Sequence, residues 1–77
     1  MSDFINWDLV CELYGVKSGK LDFVHAIIVK QFLLGVGWGG GRQPTADEYK
    51  RVWAWMVGDK EGMIEWGYGV IDKHTKG

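Results

Sequence analysis

One cysteine, one proline and two histidines are all that the 77 residues hold of the types that most often declare a chemistry or interrupt a chain. With Cys11 alone there is no intrachain disulfide and no CxxC redox pair, which favours a cytoplasmic protein in which Cys11 is a small buried hydrophobe. His25 and His74 lie far apart in sequence and without clustered cysteines, so no zinc or other metal site is expected. Neither sign of charge dominates: nine basic and ten acidic side chains leave a net charge of −1. Basic residues approach one another only at Lys17/Lys20, Lys50/Arg51 and Lys73/Lys76, too thinly for the phosphate-neutralising field that duplex binding needs. A long apolar run is missing as well. The best stretch, Leu21 to Val36, has sixteen residues with four polar groups among them, short of the ~20 that span a bilayer, so no membrane span is expected. The amino terminus is acidic and has no basic segment ahead of an apolar one, so no secretory signal is expected either.

Catalytic signatures are also scarce. GVKSGKL at residues 15 to 21 lacks the spacing and the preceding strand of a phosphate-binding loop. Gly35, Gly37 and Gly40 satisfy a bare GxGxxG spacing, yet they follow a helical segment and have no βαβ unit around them. Asp22 and His25, three apart, could orient a general base, but no serine, cysteine or threonine is placed by sequence to serve as nucleophile. Glu61 and Glu65 fit a solvated edge better than a catalytic pair. A non-catalytic protein without a cofactor is the expectation.

Aromatic side chains are abundant: five tryptophans, three tyrosines and three phenylalanines. A domain of this length buries only a little above ~60% of its surface on folding. Some of the eleven rings are therefore expected to be partly exposed, where they contribute contact area to a partner.

The pattern along the chain predicts one domain, mainly α: a compact three-helix unit with a Gly-rich loop and a short C-terminal β-strand. Ser2 or Asp3 can cap a first helix reaching about Tyr14. Its apolar residues form two stripes, Phe4/Trp7/Cys11/Tyr14 and Ile5/Leu9/Leu13, of which one packs inward and the other faces a third element or another molecule. After a polar turn in which Ser18 is a plausible cap, Leu21 to Leu34 reads as a central helix. It is apolar over far more than the ~100° of an ordinary surface helix and so is expected to be gripped on two sides. GVGWGGG at residues 35 to 41 ends it, and Trp38 either plugs the core or is presented outward. Thr45 and Glu48 form a T-x-x-E capping box for a third helix, Ala46 to Val57, with Tyr49, Val52, Trp53 and Met56 inward. Trp55, about 120° from that stripe, is the clearest candidate for an exposed aromatic. Ile64, Trp66, Tyr68 and Val70 alternate with Glu65, Gly67, Gly69 and Ile71, a period of two that predicts a strand. Its partner would be a small hairpin segment near Val36 to Trp38, a second subunit or a target. Residues 72–77 are expected to fray.

These features favour a small protein-binding module or inhibitor acting through exposed aromatics, of a kind that suits a viral or mobile-element effector blocking a larger host protein. The candidate interaction residues are Trp38, Trp55, Arg51, Glu48, Trp66 and Tyr68, and self-association through the tail strand or the outer stripe of the first helix is a further expectation. The alternatives are a helical nucleic-acid-binding module using Lys50 and Arg51, and a carbohydrate-binding module stacking sugars on Trp38, Trp55 and Trp66. The Gly-rich connection is too long for a helix-turn-helix, and Asp47 and Glu48 place negative charge where phosphate would dock.

Overall fold

In the computed structural model, which describes residues 4–76, four helices follow one another: α1 (Trp7–Tyr14), α2 (Phe23–Gly35), α3 (Ala46–Val57) and α4 (Glu61–Thr75). There is no strand among the described residues, so the expected three helices and a β-strand are corrected to four helices.

Local sequence explains most of the boundaries. α3 begins and ends where the capping box and Gly58 put it. The Thr45 hydroxyl accepts from the Glu48 N–H (3.1 Å), and the Glu48 carboxylate accepts from the Thr45 N–H (2.8 Å). α1 starts later than expected because Asn6 caps it: the Asn6 side-chain oxygen Oδ1 accepts from Leu9 N–H, and the Asn6 backbone N–H donates to the Tyr49 hydroxyl at 2.9 Å. Ile5 ahead of the cap joins the core together with Val10, the two positions that a hydrophobic staple uses. The expected caps Ser2 and Asp3 lie outside the described residues. α2 is capped by Asp22 rather than Ser18, whose hydroxyl instead donates to Asp8. At its far end Gly37, at φ 105°, and Trp38 return their N–H groups to Leu34 and Leu33, the paired bonds of a Schellman motif that only a residue tolerant of positive φ closes cheaply.

The misread strand has a definite cause. α4 carries glycine at positions 62, 67 and 69 of its fifteen residues, and each costs a helix about 1 kcal/mol relative to alanine. The true buried face is Gly67, Val70 and Ile71, a helical spacing disguised because one member has no side chain. Gly67 is where α4 meets α3. A Cβ there would lie 1.9 Å from Trp53 Nε1. Glycine lets the indole settle onto the helix, and the indole N–H donates to the Met63 carbonyl at 2.8 Å. Tertiary contact of this kind overrides weak helix propensity. Residues 72 to 75, expected to fray, are the last turn of α4. Lys73 and His74 are held by Glu12 of α1 at 2.6 and 2.8 Å.

α4 packs on α3 and α1, while α2 packs on α3. The core comprises Ile5, Leu9 and Val10 from the α1 region, Val29 and Leu33 from α2, Trp38, Tyr49, Val52 and Trp53, and Ile71 from α4. Leu9, Leu33 and Ile71 are fully enclosed. Both stripes of α1 are largely covered within the chain, leaving Phe4 as its exposed apolar end.

Candidate interaction surface

The helix expected to be gripped on two sides is held on one. Val29 and Leu33 are the buried residues of α2. At 100° per residue they share a side, with Phe32 and Ala26 half-buried on its flanks. The opposite arc, about 140° wide, runs from Phe23 through Leu34, Ile27 and Val24 to Ile28. These five side chains are exposed, Phe23 by 74%, Val24 by 57% and Ile27 by 45%. The reason is a shortage of covering elements. α1 has only eight residues, and its apolar side chains are spent on the core. α4 lies on the α1 and α3 side of the molecule. α1 reaches α2 through the Tyr14 ring stacked on His25, centroids 5.0 Å apart.

Trp55 extends the arc at the carboxyl end of α2. It is 61% exposed, and its inner edge rests on Phe32, centroids 5.4 Å apart, beside Gly35. At the amino end, Trp7, Cys11, Gly19, Leu21, Phe23 and Ala26 line an open apolar groove of about 360 Å³.

The other residues expected to make contacts are dispersed. Trp38 takes the plug alternative: it is 2% exposed, and its indole N–H donates to the Arg42 carbonyl at 2.5 Å. Glu48 accepts both guanidinium nitrogens of Arg42, at 2.7 and 2.8 Å, as well as the cap N–H. The guanidinium and these donors hold its carboxyl down at about 2. It is an end clamp for α3. Arg51 pairs with Asp47 one turn earlier at 3.0 Å, both exposed. Trp66 is exposed but leans on Trp53, centroids 6.0 Å apart, beside a shallow depression formed with Met63, Leu13 and Tyr14. Tyr68, two residues on, would share Trp66's side in a strand but lies about 200° away on a helix. There it receives Lys50, whose ammonium stands 5.4 Å from the ring centroid and pairs with Asp72 at 3.0 Å. Trp55 and Trp53 are likewise about 200° apart on α3, so Trp55 and Trp66 occupy different sides of the molecule.

Asp22 and His25 form no catalytic dyad here, since Asp22 caps α2 and His25 stacks on Tyr14. The carboxylate–imidazole pair that the fold does assemble, Glu12 with His74, ties α1 to α4 together with Lys73. Hydrogen bonds from Lys73 first, and from His74, lower the Glu12 carboxyl below its ordinary value. Among the described residues no three His, Cys, Asp or Glu side chains converge on a metal site, and no helix is long and apolar enough to cross a membrane.

Phe23, Val24, Ile27, Ile28 and Leu34 are exposed residues that the sequence reading does not single out. Their signal was present in the nearly all-round apolar character of α2. Setting that against the few residues left to cover it would have pointed outward. The chain matches no protein-family model, no curated protein and no solved structure.

Proposed function

We propose that this is a small non-catalytic protein-binding module whose working surface is the outer arc of α2 with Trp55 at its edge. The observation that carries the reading is that arc: five large apolar side chains on one helix face, all exposed, in a chain whose other apolar stripes are largely covered. At the 150–250 Å² carried by an aromatic side chain, and somewhat less for the aliphatic ones, Phe23, Trp55 and the four aliphatics present roughly 500 Å² of apolar surface. That is the size of the largest patch on a typical monomer, where such patches are often functional. Exposed Phe and Trp at the ends of an aliphatic strip are aromatic types enriched in protein interfaces, and Trp is among the residues that carry most of the binding energy there. Occupying a surface of a larger protein in this way is also how a small inhibitor works.

The nucleic-acid reading loses support from the pairing of Lys50 with Asp72 and of Arg51 with Asp47. The carbohydrate reading loses its platform, with Trp38 in the core and Trp55 and Trp66 on different sides.

A photo-reactive residue placed at Ile27, with one at Glu65 on α4 as control, tests the proposal in the cell that encodes the chain. Protein adducts specific to the Ile27 probe are expected. No adduct, or the same adducts from both positions, would refute it.

A further inference from the structure

The nature of the outer arc narrows what can cover it. Between Phe23 and Ile28 on the helical wheel the arc holds, besides its five apolar residues, only Gln31 and Gly35; Asp22, His25 and Lys30 project outside it. Partners of opposite charge are selected by complementary charges within or around a contact; the arc itself carries none, and the charged groups at its rim are Lys30, about 20° beyond Phe23 on the wheel, and the Arg51–Asp47 pair one turn before Trp55. In a two-fold contact, by contrast, each residue near the axis meets its own copy, so any charge there would meet its like. A charge-free arc satisfies that condition. A net charge of −1 adds little long-range repulsion between copies.

The area also fits. Homodimer interfaces are about 65% apolar. An apolar strip of roughly 500 Å² then corresponds to a contact of about 800 Å² per partner, the standard size for a stable complex. Resting on the reading of this arc as a protein-binding surface, we infer that its occupant is a second copy of the chain, α2 against α2 across a two-fold axis. The contact differs from the two routes that sequence favours: residues 64–71 are helical, and the outer stripe of the first helix is covered.

Contacts of this size associate anywhere from the pM to the µM range, so sedimentation velocity is run on a fluorescently labelled chain from about 1 nM to about 200 µM. The wild-type chain is expected to pass from monomer to dimer. Ile27→Glu, which sets two carboxylates near the axis, is expected to weaken association by about 100-fold or more with its helical circular dichroism unchanged. A covalent arm does not depend on that variant. Ile27→Cys and Gln31→Cys, near the middle of the arc, should oxidise to disulfide dimers because symmetry mates come within the ~4.4–6.8 Å Cα range. Glu65→Cys should not, nor should the wild type, whose Cys11 is buried.

A wild type that stays monomeric throughout, an Ile27→Glu dimer of unchanged strength, or disulfide formation equal at Glu65→Cys would overturn the dimer. If the chain is monomeric while Ile27-specific adducts to a different protein persist, the second copy is refuted and the protein-binding reading stands. If those adducts are missing too, both fall.

Discussion

α2 and α4 reverse what hydrophobicity alone would predict. Nine of the thirteen residues of α2 are apolar, against six of fifteen in α4, which also has three glycines. Yet α4 is packed on two neighbours, and α2 leaves five of its nine apolar residues exposed. Burial follows from geometry and from the supply of neighbours. Gly67 lets the α3 and α4 backbones approach across the Trp53 indole, and the indole N–H then secures the joint at Met63. Nothing comparable is left over to cover α2. In a chain this short, surplus hydrophobicity beyond what one small core absorbs is turned outward.

The contrast can be broken most forcefully at Gly67. Gly67→Ala should cost about 4 kcal/mol, combining the ~1–3 kcal/mol of overpacking with loss of the indole hydrogen bond. For a small domain that leaves little folded population, and a urea titration followed by circular dichroism measures it. On the inner side of α2, Leu33→Ala should cost about 3 kcal/mol, as enclosed leucines do. Equal stability to wild type would mean that α2 is not anchored where Leu33 sits.

Acid probes the end clamp of α3. The Glu48 carboxyl is lowered from 4.5 to about 2 in the folded state, so the stabilisation it contributes is present above about pH 4.5 and lost as pH falls towards 2. Glu12, also lowered, acts in the same direction at the α1–α4 contact. Melting temperature should decline through this window, and less steeply in Glu48→Gln, which already lacks that contribution. Smaller still is Gly69→Ala. It lies two residues from Gly67 in the same helix, with open space where its methyl would go, and should stabilise by about 0.5–1 kcal/mol. Opposite signs at positions 67 and 69 would isolate close approach as the cause.

Sequence was most informative where local chemistry is self-contained. The Thr45/Glu48 box and Gly58 fixed both ends of α3, and the stripe Tyr49, Val52 and Trp53 is buried, with Met56 half-buried. The angular position of Trp55 marked it as an outward ring, and it is one. Legibility failed where the answer depended on a distant partner. The alternation from Ile64 to Ile71 imitates a strand because the contact that makes it a helix involves Trp53, ten or more residues away, fitted to a glycine that periodicity counts as blank. The cap of α1 is a local bond, Leu9 N–H to the Asn6 side chain, that Asn6 offers no less plainly than Ser2 or Asp3; what sets Asn6 apart is its own backbone N–H, held by the Tyr49 hydroxyl 43 residues off. Trp66 and Tyr68 were grouped by the period of a strand and are separated by that of a helix. The sequence predicts a buried α2 arc because periodicity reports which residues are apolar, whereas coverage depends on the number and length of the other elements.

In the single chain the outer arc of α2 faces solvent. This exposure is tested most directly by the urea midpoint of Ile27→Glu, taken at a concentration where the wild type is monomeric so that association does not contribute. With Ile27 on the surface, a loss of about 1 kcal/mol or less is expected. A loss of about 3 kcal/mol or more, the cost of placing a carboxylate in a closed core, would show that Ile27 is enclosed within the chain and would contradict that exposure.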